Sequence, residues 1–303
     1  MFNIITYKKW YFIFSLLLIV PGIIALSIFG LRLSIDFTGG TRLTYVAKEQ
    51  VNEQTVNELK SIISSEGILV STTQVSGNQI IIRTDPIDEK QNIRIEERIE
   101  ENDFPLTLDQ FETIGPTIGQ ETALNALKAL VLASVLIILY IAWSFRKVPH
   151  PTSSWRFGVT AIITLLHDVL ILLGTFALLG FVFGVEIDSL FVTALLTVMG
   201  FSVHDTIVVF DRIRENLIKG KGGTFPQVVN DSILQTVTRS LNTSITALLV
   251  LFGLLLFGGE SMRWFIVALF IGIAVGTYSS IFNAAPLLVL WNEIDMKLKK
   301  RKT

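Results

Sequence analysis

Two imidazole–carboxylate neighbours interrupt long apolar runs of this 303-residue chain: His167 with Asp168, and His204 with Asp205. Ionisable groups in hydrocarbon are costly and mark ion or proton paths by default, so these four are the side chains whose types could do chemistry. A fifth, Arg239, heads another apolar run. A lone aspartate or arginine at mid-membrane costs about 3 kcal/mol, and pairing the two across helices offsets much of that. Asp205 lies five residues before Phe210, roughly 7–8 Å inside the end of its run at 1.5 Å per residue. If the helix carrying Arg239 begins a turn or more earlier, near Ser232, the two side chains reach one level. The chemistry on offer is then reversible protonation of a carboxylate whose charge holds or releases an arginine. Asp168 is deeper and lacks an evident cationic partner. His167 and His204 adjoin the aspartates in sequence, yet successive helical residues point about 100° apart, so adjacency alone makes neither pair a relay.

Behind Arg239, a polar stripe of Asn242, Thr243 and Thr246 follows at i+3, i+4 and i+7 and is expected to face protein, not lipid. Thr160, Thr164, Asp168 and Thr175 form a similar stripe, and Gly272, Gly276 and Ser280, spaced by four, read as a close-packing seam. Other chemistries are excluded by what is missing. There is no cysteine, hence no disulfide, thiolate metal site or cysteine nucleophile. The apolar runs contain no HExxH and no GxSxG motif, and no metal or organic cofactor is implied.

The elements that must position these residues are membrane spans. Half of the chain is hydrophobic, 17% is charged, and the mean hydropathy is +0.58. About 20 apolar residues cross a hydrocarbon core of about 30 Å. Six runs qualify: Trp10 to Phe29, Ala129 to Phe145, Phe157 to Val185, Ser189 to Phe210, Ser240 to Gly259 and Trp264 to Trp291. The first is too long for a signal-peptide core, so it is expected to remain as a span. Six spans put both termini on one side. The positive-inside rule makes that side cytoplasmic, because Lys8, Lys9, Arg146, Lys147, Arg156, Arg212, Arg214, Lys219, Lys221, Arg239 and the terminal cluster Lys297, Lys299, Lys300, Arg301 and Lys302 all fall there.

Residues 31–122 carry 16 acidic and 8 basic side chains, a net of −8, and then face outside; the remainder sums to +7. Neither part reads as a nucleic-acid surface. Within this segment the hydrophobic period switches repeatedly. Ile35 to Val46 reads as a strand broken at Gly39 and Gly40, Val51 to Ser65 as a helix, and Ile68 to Val75 and Gln79 to Thr84 as a hairpin. Asp88 to Glu101 reads as a charged, solvated helix with the apolar stripe Ile93, Ile95 and Ile99, and Thr107 to Ile114 as a last strand. The order βαββαβ is the ferredoxin-like split unit. The segment has no histidine, so a Ser-His-Asp hydrolase is absent there. The expected architecture is a polytopic α-helical membrane protein of six transmembrane helices with a small α+β ferredoxin-like domain between helices 1 and 2. Its divisions are 1–30, 31–122 and 123–303.

Three segments taken together resemble a known family. Asp36-Phe37-Thr38-Gly39-Gly40 resembles the Asp-Phe-x-Gly-Gly hallmark of the SecD and SecF subunits of the bacterial protein translocase. Residues Met199 to Asn216 resemble the fourth-helix motif of SecF, and Thr238 to Ser244 its fifth. The external domain is too small for SecD. The resemblance implies a subunit of the cytoplasmic membrane that pairs with a SecD-like partner in a twelve-span unit similar to resistance-nodulation-division exporters. That unit uses an ion gradient, proton or sodium, to complete export of an unfolded polypeptide after the SecA motor and the SecYEG channel, without covalent chemistry. It also implies that Asp205 is the family's membrane aspartate and Arg239 its partner. One departure is His204, where asparagine is usual; it adds a candidate member of the ion path beside Asp168. A small-molecule exporter subunit of the resistance-nodulation-division type is the alternative, although such chains are internally duplicated and nothing here repeats.

Overall fold

The structure, a computed structural model, describes residues 3–48, 51–102, 104–146, 148–149, 151–220 and 223–300, with the backbone alone at 76, 260, 299 and 300. Of the basic residues used for orientation, Lys147, Lys221, Arg301 and Lys302 lie outside it, as do the side chains of Lys299 and Lys300. The described residues divide into a helical unit, residues 3–31, 129–185 and 190–300, and a sheet unit, 32–128 with 186–189.

Six stretches of helix are long and apolar enough to span a membrane: Ile5–Phe29, Pro116–Ser144, Ser154–Phe183, Ser189–Ile218, Phe225–Phe257 and Arg263–Leu298. Four of them are single helices, α5 (Pro116–Ser144), α6 (Ser154–Phe183), α7 (Ser189–Ile218) and α8 (Phe225–Phe257). The first contains α1, Lys8–Phe29. The last is α9 (Arg263–Ser279) joined to α10 (Ala285–Lys300) by a π-helical turn, Ser280–Ala284. Each apolar run falls on one of these helical stretches, overrunning its end by at most two residues, and two helices start well before their runs. α5 starts on Pro116, a residue suited to a first helical turn, and α8 starts behind Thr224, whose side chain forms a capping box with Gln227.

In the helical unit, the ends alternate as six spans require. Lys8 pairs with Glu293, Arg156 with Asp295 at 2.6 Å, and Arg214 donates to the Ser144 carbonyl at 3.0 Å, so the start of α1 and α6 and the end of α5, α7 and α10 share one end. Phe210 meets Phe145 and Phe157 edge-on there, and those two rings are tilted against each other. Helices meet where side chains are smallest. A Cβ on Gly174 would stand 2.4 Å from the Cα of Gly22, which places α6 directly against α1. A Cβ on Gly272 would stand 2.2 Å from Val198 Cγ2, and one on Gly276 3.1 Å from Ser202 Cβ, so the seam spaced by four is the face that α9 turns to α7.

The sheet unit has the split βαββαβ order: β1 (Gly40–Ala47), α3 (Glu53–Ser65), β2 (Val70–Ser76), β3 (Gln79–Thr84), α4 (Glu89–Glu101) and β4 (Leu106–Ile114). All its pairings are antiparallel, in the order β2-β3-β1-β4, with Leu43 opposite Ile82 on one side and Phe111 on the other. Leu43, Tyr45, Ile80, Ile82, Leu59, Ile63, Ile95 and Ile99 make the core between sheet and helices. α4 is solvated as expected, except that Ile93 lies on its exposed face (50%) and only Ile95 and Ile99 are buried. One expectation is overturned. Ile35 to Thr38 is not strand but a helical turn, α2, capped by the Ser34 side chain, which accepts from the Asp36 N–H at 3.2 Å.

Candidate functional site

The centre of the helical unit is polar. Asp168, 1% exposed, receives the Ser202 hydroxyl of α7 at 2.5 Å and the Ser279 hydroxyl of α9 at 2.7 Å, both on Oδ2. Its Oδ1 lies 2.8 Å from Nδ1 of His167. With Asp168 as a carboxylate, which only accepts, Nδ1 carries the hydrogen, and a neutral ring then accepts at Nε2. The side-chain amide of Asn283 meets that need, with Nδ2 3.0 Å from Nε2 and donating also to Ser15 Oγ of α1 at 2.7 Å. Neighbouring hydroxyls continue the array: Thr206 with Ser280 at 2.9 Å, and Ser280 with the Gly276 carbonyl at 2.8 Å. Asn283 and Ser280 belong to the π-helical turn, which shifts the angular register of the chain and so brings both to the bundle interior. Sequence adjacency makes His167 and Asp168 a hydrogen-bonded pair after all.

Asp205 is buried at 3% exposure, and its Oδ2 has no hydrogen-bond partner. The groups nearest the carboxylate are His204 and Ser240, the latter a buried residue of α8 that faces Asp205 without a well-formed hydrogen bond. Here the sequence expectation must be corrected. α8 begins at Phe225, well before Ser232, so the condition for Arg239 to reach the level of Asp205 is met. The ion pair is nevertheless not formed within this chain. Arg239 is exposed, and it lines a cavity of about 260 Å³ with Asp211, Arg212, Gln235 and Thr236. Rise along a helix fixes depth but not direction. At 100° per residue, Ser240 and Ser244 point inward while Arg239 points out. The stripe Asn242, Thr243 and Thr246 is likewise exposed, not packed inside this chain, and the two threonine hydroxyls donate back to the carbonyls of Arg239 and Asn242. His204 is exposed as well, next to buried Asp205. The structure therefore brings together Asp168 and His167, and it leaves Arg239 and His204 on the surface of the unit.

The motif at 36–40 has a structural job in the sheet unit. Asp36 accepts from both the N–H and the hydroxyl of Ser189, at 2.9 and 2.6 Å. Phe37 is buried at 7% exposure. Gly39 (φ +73°) lets Pro116 approach, since a Cβ there would lie 2.7 Å from Pro116 Cα, and Gly40 (φ +119°) would put a Cβ 2.8 Å from the Thr84 carbonyl. Nearby, Glu186 pairs with Arg83 at 2.8 Å. Burial pushes the Glu186 carboxyl above the usual range while Arg83 pulls it back.

Sequence reasoning missed Ser15, Ser202, Ser279 and Asn283. Ser15 is a single polar residue in an otherwise apolar turn, while Ser202, Ser279 and Asn283 lie among other polar residues, and only the excess of serines and asparagine at unrelated helix positions hints at one shared site.

Known proteins share this architecture and these segments. The family described as "Protein export membrane protein SecD/SecF, C-terminal" matches residues 94–294, and the "SecD/SecF GG Motif" matches residues 24–51. A protein translocase subunit SecF of Thermobaculum terrenum is 44% identical over 100% of this chain and 98% of its own length. A SecDF protein of Bacillus subtilis is 33% identical over 96% of this chain and 38% of its own. The crystal structure of SecDF, a translocon-associated membrane protein from Thermus thermophilus, superposes with a TM-score of 0.81 and 34% identity over 96% of this chain and 39% of that one. These matches favour a translocase subunit over the small-molecule exporter alternative. With six apolar helices and such relatives, the chain is a multi-pass membrane protein. It belongs to the SecF family of protein translocase subunits.

Proposed function

We propose that this chain pairs with a SecD-like subunit in the bacterial cytoplasmic membrane and couples the proton gradient to late steps of polypeptide export, with no covalent chemistry. Its termini are cytoplasmic, and residues 31–122 lie outside, where they meet the unfolded chain emerging from SecYEG after SecA has acted. Residues 1–30 and 123–303 hold the spans. The observation that supports coupling is Asp205, a buried carboxylate in a span with one oxygen unpartnered. The exposed face of α8, with Arg239, Asn242, Thr243 and Thr246, gives the partner bundle a polar surface to cover. Protonation of Asp205 switches its hold on the groups around it, Ser240 and His204 within the chain and Arg239 once α8 turns or the partner closes the surface, and Asp168 relays to the same centre.

Carrying one charge through the membrane potential is worth about 2.3 kcal/mol per 100 mV. One proton per cycle is enough to bias two arrangements of the external domain, provided they differ in affinity for it. The test is export of a secreted reporter in cells depleted of their own copy. Asp205→Asn is expected to assemble at normal abundance and lose gradient-dependent export, Asp205→Glu to retain part, and Arg239→Lys to outperform Arg239→Met. Full export by Asp205→Asn at normal abundance would falsify the coupling role.

A further inference from the structure

We propose that His167 is a second proton-binding site of the helical unit, charged at Nε2 and registered by rotation of the Asn283 side-chain amide. This deepens the ion-coupling reading, and its test does not depend on export.

The argument starts from what each atom can do. With Nδ1–H committed to Asp168 Oδ1 at 2.8 Å, the free lone pair of the ring is on Nε2, which faces Asn283 Nδ2 at 3.0 Å. A proton arriving at Nε2 turns that nitrogen into a donor. It would then oppose the Nδ2 donor of Asn283, which already serves Ser15 Oγ at 2.7 Å. Rotating the amide by half a turn about its last bond replaces Nδ2 by Oδ1, which accepts from Nε2–H and from the Ser15 hydroxyl. Ser15 changes from acceptor to donor toward Asn283, its hydroxyl hydrogen turning away from Tyr278. No covalent bond other than N–H forms or breaks, and the added proton stays on the ring.

Among the described residues no side chain other than His167 and Ser15 partners the amide, and Ser15 in turn reaches Tyr278. Asn283 is 6% exposed, and its Oδ1 is buried without any partner. One edge of the amide is thus unsatisfied in the observed orientation, and the other edge is met only by His167 and Ser15. The orientation of the amide therefore follows the protonation of the ring. Asp168 supplies the counter-charge, so that the His167–Asp168 pair moves from a net charge of −1 to zero while Ser202 and Ser279 keep its carboxylate hydrogen-bonded. The titratable groups around this chain of contacts are Asp168 on α6 itself, and Tyr11 of α1 with Tyr278 of α9 beside Ser15; α7 adds the hydroxyl of Ser202, and the π-helical turn adds Asn283. Imidazole is the side chain whose ordinary titration lies in the physiological range.

The experiment is 15N NMR of the full chain, labelled at histidine, in nanodiscs between pH 5 and 9. The chain has three histidines, and His167 is assigned by its loss in His167→Gln. The expected result is a neutral Nδ1–H ring at high pH that becomes doubly protonated as pH falls. In Asn283→Leu, which cannot accept, the midpoint should drop by about one pH unit or more, a tenfold loss of proton affinity. If Asn283→Leu does not fold, Ser15→Ala serves in its place, with a smaller drop in the same direction. A His167 that stays neutral throughout, or that shows the Nε2–H tautomer at high pH, overturns the proposal; so does a midpoint unmoved by the variant. An Asp205→Asn chain that exports fully while His167 still titrates would remove the coupling role of Asp205 and leave this site standing.

Discussion

Replacing Gly272 by alanine tests whether α9 is held to α7 by direct contact. The new methyl would begin 2.2 Å from Val198 Cγ2 and 2.7 Å from Cγ1, with Val198 itself 1% exposed. Val198 is β-branched and stiff on a helix, so it cannot swing aside without leaving its preferred rotamer. Overpacking of this kind costs about 3 kcal/mol at the upper end, and replacing helical glycine by alanine returns about 1 kcal/mol, for a net loss of about 2 kcal/mol. Val198→Ala alone removes two packed methyl groups and should cost about 1.5 kcal/mol. Were the two sites independent, the double variant would lose about 3.5 kcal/mol. Because the methyl added at position 272 enters the space the valine leaves, the double variant should lose only about 1 kcal/mol, a coupling near 2.5 kcal/mol. Unfolding of the purified chain by rising SDS fraction in mixed micelles, followed by tryptophan fluorescence, reads all four corners of the cycle. Gly276→Ala is the graded control: its Cβ would stand 3.1 Å from Ser202 Cβ and should be nearly neutral. A Gly272→Ala chain as stable as wild type, or strict additivity with Val198→Ala, refutes the seam.

Gly39→Ala forces a left-handed residue against Pro116 and should destabilise the sheet unit by about 3 kcal/mol, whereas Gly67→Ala, at φ +76° with nothing within 4 Å, carries only backbone strain of about 1–2 kcal/mol. Native-state proteolysis of the two variants should rank them in that order, and equal rates would sink the reasoning. Glu96, which accepts from Tyr45 Oη at 2.9 Å, has its carboxyl raised chiefly by burial, with the Tyr45 hydroxyl opposing. A raised folded value means that the folded state holds the proton more tightly, so stability is fullest below the unfolded value and falls as pH rises through the folded one. Residues 33–115 expressed alone contain the whole core and a single tyrosine, Tyr45, and should melt cooperatively. In that fragment Glu96→Gln should be the more stable protein at pH 7.5 and equal to wild type near pH 4. A gap that widens toward acid contradicts this.

The sheet unit was legible because alternation and helical period each write their own pattern, and its elements fall within two residues of where that pattern changes for α3, β2, β3, α4 and β4. The exception is α2. Gly39 and Gly40 look like a break inside one strand, while the Ser34 cap, a local hydrogen bond, turns the preceding residues into a helix. Spans were legible from hydropathy, but their ends were not, since α5 extends beyond its apolar run to Pro116 and α8 beyond its own to the Thr224 capping box. In the bundle, the types of Asp168, His167 and Asp205 announced themselves. Their partners did not, because Ser15, Ser202, Ser279 and Asn283 come from different parts of the chain and no periodicity links them. Arg239 shows the complementary failure: its depth follows from counting residues, whereas its direction depends on which neighbours α8 packs against.

α7 touches three neighbours within five residues. Ser202 serves Asp168 on α6, Asp205 faces Ser240 on α8, and Thr206 meets Ser280 in the π-helical turn. These contacts point in different directions around one rigid rod, so they behave like cams on a shaft. Turning the rod far enough to offer Asp205 a new partner lifts Ser202 off its carboxylate and Thr206 off its serine in the same stroke. The surroundings of the two aspartates are thereby tied to one helix, so a rotation of α7 that changed one set of contacts would disturb the other.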